Sequence, residues 1–344
     1  MWPQFLVLAL FLSLPLEGHP AKLKISLADK SEDDLVALMH DISKLLGVSN
    51  GSSPGPIDKE VTFSCKNRTS GTFHRVLLND AKVYRKIDFK KPIAFIIHGW
   101  NSTVKQPQFL DMARNYSRFV DSNVCLLDWS NLSSYDYEIA ARHSLKMVVA
   151  YFSRFLRFLN LNGMSYDRVT LIGHSLGAQI SGFVGKNFNG SIGQIFALDP
   201  AGVLFTLPDD VGEKNRLAPT DARYVQAIYT SRGDLSMDVS AGQQNFWVND
   251  NGAHPQPGCK DVGKGKGMLT QYFESLVCSH RMAIVYFTAA IDPAVSFTMK
   301  RCSAYWMYNT GLCYFGKKDV LGIHAKRITG DFYGSIVLPY PYRS

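Results

Sequence analysis

Gly173-His174-Ser175-Leu176-Gly177 sets a serine between two glycines, directly after the β-branched run Val169–Ile172 and directly before the helix-compatible stretch AQISGFVGKNF. That context gives the pattern chemical meaning, because a serine on a tight strand-to-helix turn has its hydroxyl lifted clear of the sheet as a nucleophile. The two glycines stand where any side chain would collide with the neighbouring strand or helix. Ser175 is therefore the candidate nucleophile. A hydroxyl needs a base, and the base, an imidazole, needs a carboxylate to fix its tautomer. On a turn of this kind the chain order is serine, acid, histidine. Asp199 closes the apolar run IGQIFALDP at 192–200, at the carboxyl end of a buried strand where ligands meet such a sheet. Its rivals are Asp221, Asp234 and Asp238, and its plain alternative is a turn former before Pro200. His280 is the candidate base: it follows Cys278 and opens the apolar helix RMAIVYFTAAI, whereas His324, in the exposed-strand pattern GIHAKR, is second choice. Acyl transfer also needs donors for an oxyanion. The N–H groups of Leu176, next to the nucleophile, and of Trp100, in the loop after His98-Gly99, are placed for that; a core aromatic is the other reading of Trp100.

Parallel-sheet elements must carry these groups. PIAFIIHGW at 92–100, NVCLLDWS at 123–130 and the strands before Ser175 and Asp199 are apolar runs, and Tyr135 to Leu161 carries a helical pattern. ARYVQAIYTS and QNFWVND continue the sheet. This alternation predicts an α/β fold with a mostly parallel central sheet and helices on both faces. At 344 residues, 46% hydrophobic and 19% charged, the chain suffices for one large α/β domain, placed at 59–344. Residues 1–18, with the short apolar run WPQFLVLALFLSLPL before Gly18, read as a cleaved secretory signal peptide. Between them, 19–58 contains one amphipathic helix: Ser31 and Asp34 form a capping box, Leu35, Leu38, Met39, Ile42, Leu45 and Leu46 recur at helical spacing, and Gly47 ends it. The linker VSNGSSPGP follows, so this segment is either a propeptide or an arm docked on the domain. No later stretch offers about 18 uncharged apolar residues, since Arg154 and Arg157 interrupt Met147–Leu161.

Six cysteines, an even number, fit an oxidising compartment, and six allow fifteen connectivities. Near neighbours pair as Cys259–Cys278 and Cys302–Cys313, leaving Cys65 to close a long loop onto Cys125. Sequons at Asn50, Asn67, Asn101, Asn115, Asn131 and Asn189 fit a secreted, extracellular glycoprotein. The net charge of +8 is scattered, which fits attraction to anionic lipid or glycan surfaces better than nucleic-acid binding.

Taken together, HGW at 98–100, DWS at 128–130, GHSLGAQ at 173–179, LDPAG at 198–202, DARYVQAIYTS at 221–231, QPGC at 256–259 and CSH at 278–280 resemble the animal pancreatic lipase family over roughly residues 60 to 340. The resemblance implies an α/β-hydrolase fold, hydrolysis of glycerolipid esters by a secreted enzyme at a lipid–water interface, a triad of Ser175, Asp199 and His280, and a lid held by a disulfide matching Cys259–Cys278. The chain departs from that family in three ways. It stops where larger relatives carry a C-terminal β-sandwich, so it looks like the one-domain branch of insect lipases, venom phospholipases A1 and yolk-protein relatives, and no colipase is expected. The family's calcium loop falls on GEKNRLAPTD with Glu213, Arg216 and Asp221 in place, but Ala218 stands at a carboxylate position, so neither a metal nor any other cofactor is expected. Gln179 replaces the family's histidine one helical turn beyond Ser175, where it leaves the triad undisturbed.

Two function classes follow. One is a lipolytic serine esterase; the other is a catalytically idle lipid-binding or yolk-type storage protein, which keeps such a fold while losing catalytic residues. All three triad positions are filled here, which favours the esterase. The span Lys260 to Val277 has a basic half, KDVGKGKG, and an apolar half whose Met268, Leu269, Tyr272, Phe273 and Leu276 share one face of a short helix. Such a lid covers the site in water and meets anionic lipid through Lys260, Lys264 and Lys266. Its length lies between the lids that the resemblance implies for venom phospholipases and for large triacylglycerol lipases, which leans the expected substrate towards phospholipids cleaved at the first acyl position.

Overall fold

Seven parallel strands form the middle of one sheet, and their sequences explain why they are central. In a computed structural model of the protein, which describes residues 27–48, 54–67, 71–265, 267–336 and 338, the strands are β1 (Thr62–Lys66), β2 (His74–Val76), β3 (Ile93–Ile97), β4 (Asn123–Asp128), β5 (Val169–His174), β6 (Gln194–Leu198), β7 (Tyr224–Tyr229), β8 (Gln244–Val248), β9 (Thr298–Arg301), β10 (Lys318–Val320) and β11 (Gly330–Gly334). Their order is β10-β9-β11-β8-β7-β6-β5-β3-β4-β1-β2. From β11 to β4 every neighbouring pair is parallel, and antiparallel strands close both edges. β3, an unbroken apolar run, and β5, apolar but for Thr170 and His174, are buried at every position, as strands covered on both faces must be.

Alternate residues of each strand feed the two cores. Ile93, Phe95, Ile97 and Leu171 join Phe152, Phe155 and Ile180 under α3 (Leu145–Leu161) and α4 (Leu176–Asn187). Ala94, Ile96 and Ile172 face the other way, with Phe109, Met112, Met282 and Phe287 of α2 (Pro107–Phe119) and α5 (Met268–Ala289). The helical pattern from Tyr135 is not one helix: a short turn at Tyr137–Ile139 runs through a π-helical segment, Ala140–Ser144, into α3.

The preceding helix, α1 (Glu32–Leu45), starts where its capping box dictates. Ser31 Oγ accepts from the Asp34 N–H at 3.2 Å, and Gly47 at φ 66° closes the run. Leu35, Met39 and Ile42 are buried in the first core. His40 Nδ1 lies 2.8 Å from Asp136 Oδ2, and Arg142 pairs with Glu32, so α1 is docked beside the start of α3.

Cys65–Cys125 links β1 to its partner β4 at directly opposed positions, Cys259–Cys278 ties the loop after β8 to α5, and Cys302–Cys313 closes a loop after β9. Among the described residues no helix is long and apolar enough to cross a membrane. The leader assigned to 1–18, the sequon asparagine Asn50 and Lys266 lie outside the described residues, as do the residues that complete the Asn67 sequon. Asn101, Asn131 and Asn189 are exposed, whereas Asn115 is half-buried and its Nδ2 donates to the Thr288 carbonyl at 3.4 Å.

Candidate active site

Ser175 sits between the end of β5 and the first residue of α4 with φ 57° and ψ −123°, a conformation that side-chain-bearing residues rarely adopt. The surroundings compel it. A Cβ on Gly173 would stand 2.2 Å from the Gly177 carbonyl oxygen, and a Cβ on Gly177 would stand 2.3 Å from the Ile97 carbonyl oxygen. The Ser175 N–H donates to Leu198 O at 3.1 Å, which locks the turn to the end of β6.

Asp199, one residue beyond β6, is fully buried and itself has φ 45°. Its Oδ1 accepts from the N–H groups of Thr230 (2.6 Å) and Ser231 (3.1 Å), and its Oδ2 accepts from the Ser231 hydroxyl. Oδ2 also lies 2.6 Å from His280 Nδ1. An ionised carboxylate accepts only, so Nδ1 carries a hydrogen, and Nε2 is left with the lone pair that a general base uses. Burial of so many donors around one carboxylate is the arrangement that holds a histidine in a single tautomer and stabilises its charged form.

The helix that carries His280 is a correction to the expected organisation. His280 does not open a new helix after Cys278; it lies inside α5, which runs unbroken from Met268 to Ala289. No glycine or proline falls between Met268 and Asp292, so nothing interrupts the ladder. Three attachments fix its first half. Cys259–Cys278 is one, the Gln256 N–H donating to Ser279 Oγ at 3.0 Å is another, and Tyr272 OH donating to Asp234 Oδ1 at 3.4 Å is the third. Of the face expected for a lid, Phe273 packs on the core, Leu276 is buried and Met268 is exposed, while the Leu269 side chain lies outside the described residues.

The donors expected for an oxyanion come from interlocked loops. Leu176 is the first residue of α4, so its N–H has no partner within the helix. The Trp100 side chain is held as packing: Nε1 donates to Tyr135 O at 2.8 Å and the ring meets Tyr137 edge-on at 5.4 Å. Below it, buried His98 stacks on Trp129, whose Nε1 and backbone N–H donate to His98 O (2.9 Å) and Nε2 (3.0 Å). HGW and DWS thus form one brace that sets the loop bearing the Trp100 N–H.

Two of the three rival acids are engaged elsewhere, whereas Asp238 Oδ1 is buried without a hydrogen-bond partner among the described residues. Asp234 lies 2.6 Å from His254 Nδ1, and Asp221 pairs with Lys186. His324 lies in turns rather than in the exposed strand expected for it, with Nε2 3.1 Å from Ile291 O. Two supporting residues escaped the sequence, Ser231, which touches both Asp199 and His280, and His174, whose ring nitrogen Nε2 is 3.0 Å from His280 O, while Gln179, expected only to leave the triad undisturbed, donates to Ala201 O at 2.7 Å and accepts the Leu217 N–H at 2.8 Å. Burial, then the neighbouring His280, holds the His174 ring well below the usual histidine range, so it stays neutral beside its partner. The position of Ser231 just after β7 is the one signal that pointed at it.

The calcium implied by the resemblance does not fit the residues present. Lys186 supplies a cation to Asp221, Asp221 Oδ2 accepts the Ala218 N–H at 2.8 Å, and Arg216 is spent on Asp210 through Nε and Nη2 at 2.6 and 2.8 Å. No cluster of three metal-ligating side chains occurs among the described residues. Burial pushes the Asp221 carboxyl from 3.8 up to about 6, against the pull of Lys186 and the Ala218 N–H. A carboxyl with a higher pKa folded than unfolded stabilises the fold below about pH 4 and loses that contribution as pH rises through about 6. Asp221→Asn is therefore expected to gain stability relative to wild type across that window, on the order of 2 kcal/mol, with Tm unmoved by a chelator of divalent cations. A difference that stays flat with pH, or a chelator-sensitive Tm, would contradict this account.

With this geometry in place, comparison with known families is decisive: the family model described as Lipase matches residues 48–334. This chain belongs to the lipase family. Among curated relatives it is 31% identical over 235 residues to Lipase member H of Oryctolagus cuniculus, covering 68% of this chain and 50% of that protein. It is 32% identical over 219 residues to Phospholipase A1 member A of Bos taurus (63% and 45%) and 31% identical over 285 residues to that of Homo sapiens (78% and 60%). The chain spans about half the length of the curated relatives it matches. The lipase-family motifs are the same segments that bring Ser175, Asp199, His280 and the HGW–DWS brace to the carboxyl edge of the sheet.

Proposed function

We propose that this chain is a secreted lipolytic serine esterase that hydrolyses fatty acyl esters of glycerolipids, with phospholipids cleaved at the first acyl position ahead of triacylglycerol. The observation that carries the proposal is the buried Asp199–His280 pair at 2.6 Å beside a serine held at positive φ on the elbow turn. In this reaction His280 Nε2 takes the proton of Ser175 as Oγ attacks the ester carbonyl. The N–H groups of Leu176 and Trp100 receive the oxyanion, and His280 returns the proton to the departing alcohol. Water then repeats the sequence on the acyl-serine and releases the fatty acid. Asp199 remains ionised throughout and stabilises the imidazolium that forms.

Three disulfides support an oxidising, extracellular location. The basic and apolar halves of the sequence from Lys260 to Val277, ahead of His280, support work at a lipid–water interface and the lean towards phospholipids, and no colipase, nucleic acid or cofactor enters the proposal. Two measurements test it. A fluorophosphonate probe is expected to label the wild-type protein and not Ser175→Ala; an unlabelled wild type would favour the idle lipid-binding reading. On mixed-acyl phosphatidylcholine and phosphatidylserine beside emulsified triacylglycerol, release of the first acyl chain from phospholipid is expected. Fatty acid from triacylglycerol alone would overturn the substrate preference and leave the esterase standing.

A further inference from the structure

Ten large apolar side chains stand exposed among the described residues, and four of them come from one short stretch: Trp306 (62%), Leu312 (64%), Tyr314 (74%) and Phe315 (95%). The other six are scattered, which is ordinary for a folded surface; a cluster is not.

The stretch is held firmly from beneath. Cys302–Cys313 closes it, and α6 (Tyr305–Asn309) lies inside the closed loop. Tyr305 and Tyr308 pack their rings on Tyr333 of β11 at 5.6 and 5.7 Å, and Tyr305 OH donates to Asp250 Oδ1 at 3.0 Å. The inner aromatics are thus spent on the sheet, and the outer ones are displayed from a fixed base.

The charge carried by the stretch itself is of one sign, with the Asp250 carboxylate beneath it accepting from Tyr305 OH. Thr298 through Lys318 contains Lys300, Arg301, Lys317 and Lys318 and no aspartate or glutamate. Lys300 Nζ lies 5.5 Å from the centroid of the Tyr314 ring. The adjacent carboxylates are occupied: buried Asp319 accepts from Gln244 Nε2 at 2.8 Å, and Asp331 accepts from Ser240 Oγ at 2.7 Å. Exposed aromatic rings ringed by cations match the boundary of an anionic bilayer, where rings settle at headgroup depth and lysines and arginines meet the lipid phosphates and carboxylates. A nucleic-acid duplex would use the cations and leave Phe315 and Leu312 in water.

We propose that the segment from Trp306 to Lys318, around the Cys302–Cys313 disulfide, is a docking surface for an anionic phospholipid bilayer, separate from the candidate active site. The Cys302 N–H donates to Asp331 O at 2.9 Å near the start of β11, whereas Ser175 and Asp199 follow the carboxyl ends of β5 and β6. The loop retains the protein at a membrane and takes no part in the chemistry, so it stands whether or not the esterase proposal does.

The test is flotation of the whole chain, carrying Ser175→Ala so that lipid is not consumed, with vesicles of phosphatidylcholine alone or mixed with phosphatidylserine. Binding is expected only to the mixed vesicles. Lys317→Ser with Lys318→Ser should weaken it roughly 25-fold, about fivefold for each cation. Trp306→Ser with Phe315→Ser should weaken it at least about tenfold. These side chains are exposed, so both variants should unfold at the wild-type temperature and, with Ser175 restored, hydrolyse a short soluble ester at the wild-type rate. Wild-type binding by either double variant would overturn the proposal, as would equal binding to both vesicle types. A dimer that Phe315→Ser converts to monomer, read by light scattering, would overturn it by assigning the loop to a second copy of the chain. A wild type that fails to hydrolyse the soluble ester would sink the esterase proposal alone.

Discussion

Ser175→Ala, Asp199→Asn and His280→Ala are each expected to lower ester turnover by roughly 10⁴- to 10⁶-fold, and any two together by little more than the worse of the pair. Members of a triad act as one device, so removing one leaves the others without a task. The structure separates their effects on stability. Ser175→Ala deletes one hydroxyl and leaves the turn's hydrogen bond to Leu198 O intact, so Tm should barely move. Asp199→Asn is different, because the fully buried carboxylate accepts from Thr230, from the backbone and hydroxyl of Ser231, and from His280. An amide would point hydrogens at one of those donors, and a loss of about 1–3 kcal/mol should accompany the loss of rate. His324→Ala should be nearly silent on turnover, since its partner is the Ile291 carbonyl. Turnover and thermal unfolding of the four variants check this. If His324→Ala abolished turnover and His280→Ala did not, the assignment of the base would be wrong.

Gly177→Ala is expected to cost about 3 kcal/mol or more and to collapse the yield of folded protein, although it adds only a single methyl group. The added Cβ would stand 2.3 Å from Ile97 O and 2.7 Å from His98 O, both backbone atoms at the end of β3. A side chain in that place can swing aside; a strand in the middle of an eleven-stranded sheet cannot. Any retreat also carries the loop with the Trp100 N–H away from Ser175, so surviving protein should lose turnover as well as stability. Gly212→Ala makes the control. Its Cβ meets nothing within 4 Å, and only its φ of 81° is strained. With ψ at 155° this backbone region is essentially reserved for glycine, so the cost there should be on the order of 1–3 kcal/mol, with turnover unchanged. A Gly177→Ala protein with wild-type Tm and turnover would show that the elbow is not packed as described.

Much of the arrangement is written locally. The unbroken apolar run of β3 and the largely apolar β5 require cover on both faces, which dictates a parallel sheet between two helical layers. The Gly-x-Ser-x-Gly turn is legible because a strand before it and small residues after it leave only glycine room at two positions. Ser31 and Gly47 mark the ends of α1 for equally local reasons, a cap and a positive φ. The continuity of α5 is also present in the chain, in the absence of any breaker from Met268 to Asp292, although a cysteine and a polar pair at Cys278-Ser279-His280 suggest that a new helix opens there. What only the tertiary structure decided are the long-range polar partners. Nothing within a few residues of Ser231 says that it will face Asp199, and nothing beside Lys186 says that it will meet Asp221 across 35 positions. Nor does the sequence tell Tyr305 and Tyr308, spent on Tyr333, from Tyr314 and Phe315, left in water. Periodicity and turn chemistry act over a handful of residues and are read directly from neighbours, whereas a buried carboxylate or an exposed ring acquires its role from whichever distant strand the topology brings beside it.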